Sequence, residues 1–303
     1  MGNGPRATPA IANELVVTYT GEGVLSALKL GDGSVVWSRQ PVVELGGKPA
    51  EYGMASSPLV IDDLVVVIAG APKATLAAYS LKTGEPRWTA GSADAAGYSS
   101  PTLLMLHGRP QIIAFTGEAV IGVDPADGRL VWRYPWKTDY NCNIAVPLEI
   151  DGQVLISSGE NHGTALLAID PQGNVRETWS STGVNSVLRN EWQTSLLIDG
   201  ALYGFDNVGS AGPVTHCTCI DPRTGAVRWQ QKRFGKGHAI AADGKLWAST
   251  MDGDLVILKA NPDRYEELGR AELLDSTRQA PALSNGRLFL RDDREIVAVD
   301  LRR

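Results

Sequence analysis

Short runs of alternating apolar and polar residues recur along the chain, and each is followed by a polar turn and a tryptophan. Alternation with period two predicts β-strands, and a Gly-containing turn between two such runs predicts that the strands pair. The tryptophans lie 44 to 51 residues apart, at Trp37, Trp88, Trp132, Trp179 and Trp229. The five stretches read "VLSALKLGDGSVVW", "TLAAYSLKTGEPRW", "AVIGVDPADGRLVW", "ALLAIDPQGNVRETW" and "CTCIDPRTGAVRW"; "LVILKANPDRYEEL" and "EIVAVDLRR" keep the alternation without the Trp.

A second repeated piece precedes each of these seven stretches. It consists of two short apolar runs joined by Asp-Gly, Asn-Gly or a similar pair, as in "AVPLEIDGQVLIS" and "APALSNGRLFL", which predicts a β-hairpin. Four short strands per unit, repeated about every 45 residues, are typical of a propeller blade. The sequence therefore predicts an all-β fold, a β-propeller of seven repeat units with four-stranded antiparallel blades. Only "NPDRYEELGRAELL" suggests a turn or two of helix.

Aligning the copies on the turn gives two columns of side chains that point to the same side of each sheet, because strand side chains alternate. We expect this side to face the neighbouring blade, with the tryptophan covering the gap between blades. The first column contains small residues and the second mostly larger apolar ones. They are Ala27, Ala78, Gly122, Ala168, Cys219 and Ala298, and Leu25, Leu76, Val120, Leu166, Cys217 and Ile296.

The stretches "GVDPADGRLVW" and "CIDPRTGAVRW" match the pattern A-x-D-x-x-T-G-x-x-x-W most closely. This pattern resembles the tryptophan-docking motif of the quinoprotein-like (PQQ-type) β-propeller family, and the resemblance covers almost the whole chain. That family includes PQQ-dependent alcohol dehydrogenases, BamB-like proteins without catalytic groups, and PQQ-like repeat proteins of unassigned function. The chain is most similar to the last group, and the resemblance implies a bacterial protein of the cell envelope or periplasm.

The seven units fill residues 1–303 as a single propeller domain, but the last unit supplies three strands where the others supply four. Since relatives commonly have eight blades, we expect N-terminal sequence in them that this chain lacks. An unpaired strand at the edge of the last blade is expected to favour self-association.

The charge distribution of the sequence argues against a nucleic-acid partner. The formal net charge is −6, with acids and bases interspersed, so there is no basic stripe for nucleic acid. No apolar run is long enough to span a membrane, and "MGNGPRATPA" is not a signal peptide. The compartment therefore rests on the family resemblance.

Cofactor and metal sites are not expected. The resemblance implies that a PQQ enzyme would need an adjacent-cysteine disulfide and a carboxylate-rich calcium site. Thr218 separates Cys217 from Cys219, so we expect no bound PQQ. In a strand, "HCTC" directs His216 away from both cysteines, which argues against a tetrahedral zinc site. We expect the two cysteines to act as small buried apolar residues.

Polar and aromatic residues precede the first strand of each unit, where a propeller chain reaches the mouth of the central channel. Such a varied set is suited to binding a protein or a small molecule. His238 with Glu191 or Asp139 would be a candidate acid–base pair, and arginines would bind a carboxylate or phosphate group. The predicted ligand-binding residues are Arg6, Tyr52, Tyr98, Tyr140, Asn141, Asn143, Arg189, Asn190, Trp192, Lys236 and Arg278.

Two functions follow from these residues. The first is a binding or scaffold module without PQQ, in which loop aromatics such as Trp136 and Tyr140 contact a partner. The alternative for Trp136 is packing on its own blade, and the alternative for the channel-mouth residues is that they only hold water. The alternative is an enzyme of hydrolase or lyase type that uses His238, Glu191 and Asp139 at the channel mouth.

Overall fold

The computed structural model describes residues 6–91, 93–209 and 214–302. Its strands form seven antiparallel sheets in chain order, which confirms the predicted seven-bladed β-propeller. The first four blades have four strands each. Blade 1 comprises β1 (Ala10–Ala12), β2 (Leu15–Tyr19), β3 (Leu25–Lys29) and β4 (Val35–Arg39); blade 2, β5 (Leu59–Ile61), β6 (Leu64–Ala71), β7 (Ala74–Ser80) and β8 (Pro86–Ala90); blade 3, β9 (Thr102–Leu106), β10 (Arg109–Phe115), β11 (Ala119–Val123) and β12 (Leu130–Pro135); blade 4, β13 (Leu148–Ile150), β14 (Gln153–Ser158), β15 (Gly163–Ile169) and β16 (Val175–Thr182).

Blades 5 and 6 also have four strands, whereas blade 7 has three among the described residues. Blade 5 comprises β17 (Leu196–Ile198), β18 (Ala201–Val208), β19 (Val214–Ile220) and β20 (Val227–Gln231); blade 6, β21 (Gly237–Ala242), β22 (Lys245–Thr250), β23 (Asp254–Lys259) and β24 (Glu267–Glu272); blade 7, β25 (Ala282–Ser284), β26 (Arg287–Arg291) and β27 (Ile296–Asp300).

Helical structure is short. One turn of α-helix, α1 (Pro41–Glu44), lies in the long segment after Trp37, and 3₁₀ turns occupy Asp139–Asn141 and Gly183–Asn185. The stretch "NPDRYEELGRAELL", which suggested a turn or two of helix, instead contains β24 in its second half, and this strand completes blade 6. Among the described residues, no helix is long and apolar enough to cross a membrane.

The first hairpin of each blade turns in the way that its sequence predicts. Two-residue turns between right-twisted strands need backbone with positive φ, which Asn, Asp and Gly adopt most readily. The pair Asp151–Gly152 has φ of 48° and 77°, and Asn285–Gly286 has 48° and 73°. These turns fix the register of the two inner strands, and therefore which side chains point toward the neighbouring blade.

Two compact units are distinguished by their internal contacts. The first comprises Met1–Ile156 and Leu167–Glu177, and the second comprises Ser157–Leu166 and Thr178–Arg303. Within the first unit, a core of aliphatic side chains joins residues of blades 1, 2 and 3, including Leu25, Ala27 and Leu76. Within the second, one cluster joins blades 5 and 6 around Phe205 and Phe234, and another joins blades 6 and 7.

The repeated tryptophans attach consecutive blades to one another, as the sequence predicts. Trp37 Nε1 donates to the carbonyl of Leu81 in blade 2 at 2.8 Å, and Trp179 Nε1 donates to that of Pro222 in blade 5 at 2.9 Å. Each indole also lies against a turn glycine of the following blade, Gly84 and Gly225 respectively. Trp132 differs, because its Nε1 donates to Gln111 Oε1 within its own blade.

Candidate functional site

The predicted site residues of the first unit include two tyrosines that lie close together. The rings of Tyr52 and Tyr98 are 5.8 Å apart between centroids, and the Tyr52 backbone N–H donates to the Tyr98 hydroxyl at 3.4 Å. Burial raises the pKa of Tyr98. Tyr98 therefore stays protonated at neutral pH and supports the loop that carries Tyr52.

Asn143 is buried and holds a loop in place. Its side-chain amide donates to the carbonyls of Thr116 at 2.8 Å and Trp136 at 3.0 Å. Trp136 is also buried, so of the two alternatives for this residue the structure favours packing within the protein over an exposed anchor. Tyr140 has a φ of 57° and is 64% exposed, which leaves its ring available to a partner.

The remaining predicted residues of this unit lie at its surface or beside this loop. Asp139 and Arg6 are exposed, and Asn141 is partly buried with a φ of 55°. A Cβ at Gly117 would lie 2.5 Å from Asn141 Cβ, so only glycine lets this loop pass so closely. In the first unit the predicted set therefore combines structural residues with a few exposed ones.

In the second unit, Arg189 and Asn190 belong to a buried polar network. Arg189 makes two parallel contacts to Asp206, Nε to Oδ1 at 2.7 Å and Nη2 to Oδ2 at 2.8 Å. The two side chains are 4% and 2% exposed. Asn190 donates to the carbonyl of Phe205 at 3.2 Å and accepts from Ser195 at 2.8 Å. Neither Arg189 nor Asn190 is accessible to a ligand in this arrangement.

Glu191, Trp192, Lys236 and Arg278 lie close together in the second unit. Lys236 Nζ lies 2.8 Å from Glu191 Oε2 and 4.2 Å from the centroid of the Trp192 ring. The exposed guanidinium of Arg278 lies 5.3 Å from that centroid. Burial raises the pKa of Glu191, and the hydrogen bond and charge of Lys236 partly offset this. The indole is thus in contact with two cations, an arrangement that cation–π attraction stabilises.

His238 lies on β21, two residues after Lys236, and interacts with the backbone of Arg278. Burial lowers the pKa of His238 to about 4, and the hydrogen bond to Arg278 opposes that shift. The imidazole is therefore neutral at pH 7 and a weak proton acceptor. Glu191 is paired with Lys236 at 2.8 Å, and this cation stabilises the ionised form of Glu191. Lys236 is the residue directly before β21, the strand that carries His238.

Cys217 and Cys219 are fully buried in blade 5, as predicted. Burial raises the pKa of both thiols, that of Cys219 to about 11. The described residues contain no group of three or more His, Cys, Asp and Glu side chains that would hold a metal ion.

The structure also presents an apolar surface that the sequence reasoning missed. Ala282, Phe289, Ile296 and Ala298 point to one side of blade 7, since Ala282 pairs with Phe289 and Phe289 with Ala298. All four are exposed, and Ile296 is 71% exposed. We call these four residues the uncovered face of blade 7. On the other side of the sheet, Leu288 and Leu290 pack into the cluster shared with blade 6.

The exposure of Ile296 on the uncovered face differs from that of the equivalent residues in the first five blades. Residues equivalent to Ile296 in the first five blades are buried, and each of Leu25, Leu76, Val120, Leu166 and Cys217 has an exposed fraction of 0%. Ile296 and Ala298 are thus exposed at positions where the equivalent residues of blade 1, Leu25 and Ala27, are buried. An open cleft of about 350 Å³ lies beside Phe289, between Ser284, Asn285, Arg287 and Arg302.

A second open cleft lies in the first unit between the edge strands β1 and β5. It has a volume of about 690 Å³. Ile11, which is 67% exposed, lines it together with Asp62, Asp63 and Lys82. Its rim is polar and open to solvent, so it lacks the enclosed apolar wall of a typical small-molecule pocket.

Solved structures similar to this one share its fold at low sequence identity. BamB from Moraxella catarrhalis is 17% identical with a TM-score of 0.66, and the match covers 94% of this chain and 78% of that one. Quinohemoprotein alcohol dehydrogenase from Comamonas testosteroni is 14% identical with a TM-score of 0.66, over 94% of this chain but only 62% of the dehydrogenase. A search of the curated proteins finds no match.

A family model identifies the family of the chain, whereas the similar structures show only its fold. The model described as outer membrane protein assembly factor BamB matches residues 1–207 and 214–303. Because the match extends over nearly all of the sequence, the chain belongs to this BamB family of PQQ-like repeat propellers.

Proposed function

We propose that this chain is a non-catalytic protein-binding module of the bacterial cell envelope that works without bound PQQ. The family description names outer-membrane protein assembly, which supports both the binding role and the compartment. Fold and family alone are a weak basis for function, because one fold supports many activities. The proposal therefore depends on a surface of this chain.

The observation that carries the proposal is the uncovered face of blade 7. Ile296 is 71% exposed where the equivalent residues of the first five blades are fully buried. Exposed contiguous apolar side chains beside polar ones are characteristic of protein interfaces. Arg287 and Arg302 border the same cleft as Phe289, which gives the surface the polar rim that interfaces typically have.

The alternative enzymatic function has no comparable support in the geometry. His238 is neutral at pH 7 because burial lowers its pKa to about 4, and Glu191 is paired with Lys236. A general base needs an accessible site and a pKa near the working pH. We therefore develop the binding function only.

Site-specific photocrosslinking in bacterial cells tests the proposal. A photoreactive phenylalanine analogue would replace Phe289 or Ile296 on the uncovered face, and Leu268 on β24 would serve as the exposed control position. We expect one protein, identified by mass spectrometry, to crosslink at 289 and 296 but not at 268. The purified partner should bind the chain directly, and Ile296→Lys should weaken that binding at least tenfold.

Two results would contradict the proposal. One is the same set of crosslinked products at all three positions, which would indicate random encounters. The other is a crosslinked protein whose purified form binds the wild-type chain and the Ile296→Lys variant equally well.

A further inference from the structure

Trp192, Lys236 and Arg278 occupy the same place in three consecutive blades of the second unit. Each lies seven residues before the first residue of the turn that joins the first two strands of its blade. These turn residues are Asp199, Asp243 and Asn285. Because the blades repeat one chain path, equivalent residues of adjacent blades reach the same end of their sheets. The contacts of the Trp192 ring with both cations follow from this equivalence.

The two cations differ in the partners that they have within the chain. The side chain of Lys236 is 15% exposed, and its Nζ lies 2.8 Å from Glu191 Oε2. Arg278 is exposed, and among the described residues no carboxylate pairs with it. Its guanidinium lies 5.3 Å from the centroid of the Trp192 ring. Arg278 is therefore a charged side chain that is supported by an indole but not neutralised by an acid of the described chain.

Contact with the indole leaves the hydrogen-bonding groups of Arg278 available. Attraction between a cation and the face of an aromatic ring needs no hydrogen bond. The five N–H donors of a guanidinium lie in its plane, and two parallel donors match the two oxygens of a carboxylate. An arginine supported by an aromatic ring can therefore bind a carboxylate at the same time.

The backbone beside Arg278 is held by neighbouring segments of the second unit. The Thr277 N–H donates to the carbonyl of Met251 at 3.3 Å, and the Thr277 hydroxyl donates to the carbonyl of Arg291 at 2.5 Å. His238 also interacts with the backbone of Arg278. A side chain whose backbone and head group are already supported loses less conformational entropy on binding, which favours affinity.

We propose that Arg278 binds the carboxylate group of a ligand, with its guanidinium supported by Trp192. The pair of Lys236 and Glu191 holds the indole in place. One unpaired cation matches a singly charged anion, whereas a doubly charged phosphate would leave excess negative charge near Glu191. The inference goes beyond the proposed function, since it uses no residue of the uncovered face.

A free organic acid and an acidic side chain of a partner protein present the same carboxylate group. The probes are therefore sodium acetate and the peptide Ac-Gly-Glu-Gly-NH2. The peptide Ac-Gly-Gln-Gly-NH2 is the uncharged control, and sodium chloride controls for ionic strength. NMR of the ¹⁵N-labelled full chain follows the indole N–H signal of Trp192, which is assigned by its loss in Trp192→Phe.

We expect at least one of the two carboxylates to shift the Trp192 signal in a saturable way, and neither control to do so. Tighter binding of the Glu peptide identifies an acidic side chain as the source, and tighter binding of acetate identifies a free acid. No saturable shift with either carboxylate up to about a hundred millimolar would overturn the inference. An equal shift with the Gln peptide, or tighter binding of inorganic phosphate than of both carboxylates, would also overturn it.

Variants of the chain locate the binding site. Arg278→Gln is expected to weaken carboxylate binding at least tenfold. Arg233→Gln is the matched control, because Arg233 is exposed and has no carboxylate partner in the described part of the chain. This control should bind like the wild type. Unchanged binding by Arg278→Gln would place the site elsewhere and sink the inference.

Arg278→Lys separates paired hydrogen bonding from charge alone. Lysine keeps the positive charge but lacks the planar pair of donors, so this variant should bind at least threefold more weakly than the wild type. Full affinity of Arg278→Lys would contradict the proposed role of the guanidinium. Failure of these tests would leave the proposed function standing, because crosslinking at 289 and 296 examines other residues.

Discussion

The indole of Trp37 in blade 1 lies so close to Gly84 in blade 2 that a Cβ on that glycine would be 2.7 Å from the ring. The same indole donates its N–H to the carbonyl of Leu81 at 2.8 Å. The tryptophan therefore connects two blades through a hydrogen bond and through contact with a turn that only glycine permits. Trp179 and Gly225 repeat this relationship in the second unit.

Gly84→Ala should destabilise the chain through a clash with Trp37. Gly84 has a φ of 70°, so alanine there also carries the left-handed backbone cost, which is about 1–2 kcal/mol. Gly33 is a matched control, since its φ is 72° and nothing lies within 4 Å of its would-be Cβ. Urea unfolding should show that Gly84→Ala costs about 1–3 kcal/mol more than Gly33→Ala. Equal losses for the two variants would mean that the contact with the indole contributes nothing.

Arg189→Met should leave Asp206 as a buried carboxylate without its cation. Breaking a buried ion pair by removing one partner costs about 3–5 kcal/mol. The exposed pair of Arg294 and Asp275 is the control, and Arg294→Met should cost less than about 1 kcal/mol. The double variant Arg189→Met with Asp206→Leu should recover part of the loss, because no buried charge remains. A double variant less stable than Arg189→Met would contradict this account.

His238 should make the chain less stable as the pH falls from about 6.5 toward 4. Its pKa is lowered to about 4 in the folded chain, so the unfolded chain binds more protons in this interval. The stabilisation is complete above pH 6.5 and is lost as the pH approaches 4, with a slope of at most about 1.4 kcal/mol per pH unit. His238→Gln should reduce this slope, as measured by unfolding at several pH values. An NMR titration of the His238 ring with a midpoint near 6.5 would contradict the prediction.

Cys142 should be the thiol that reacts in the folded chain, whereas Cys217 and Cys219 should react only after unfolding. Cys142 is partly exposed, and burial both shields the other two thiols and raises their pKa. Since the thiolate is the reactive form, labelling with Ellman's reagent should modify Cys142 alone at pH 8. Cys142→Ser should abolish native labelling, and rapid labelling of that variant would show that blade 5 is open to solvent.

Much of the fold follows from the sequence because strand alternation, turn residues and the spaced tryptophans are local signals. Asp151–Gly152 and Asn285–Gly286 are hairpin turns in the sequence and in the structure. The segment that contains β24 suggested a turn or two of helix in the sequence, and pairing with β23 makes it a strand.

The candidate site was less predictable, because position in the repeat does not show where a side chain points. Arg189 and Trp192 lie three residues apart in the same loop. Arg189 turns into the protein toward Asp206, while Trp192 contacts Lys236 and Arg278. Long-range partners of this kind are set by neighbouring blades and leave no local pattern.

The sequence by itself determined the number of blades, their strand order and the residues that form the repeated columns, because each depends on periodicity and turn chemistry within a few residues. Only the tertiary structure decided which members of a column are covered. Leu25 is fully buried because the next blade packs over it, and Ile296 holds the same position in its repeat but is 71% exposed. Burial depends on what packs against a strand, and that is a property of the assembled blades.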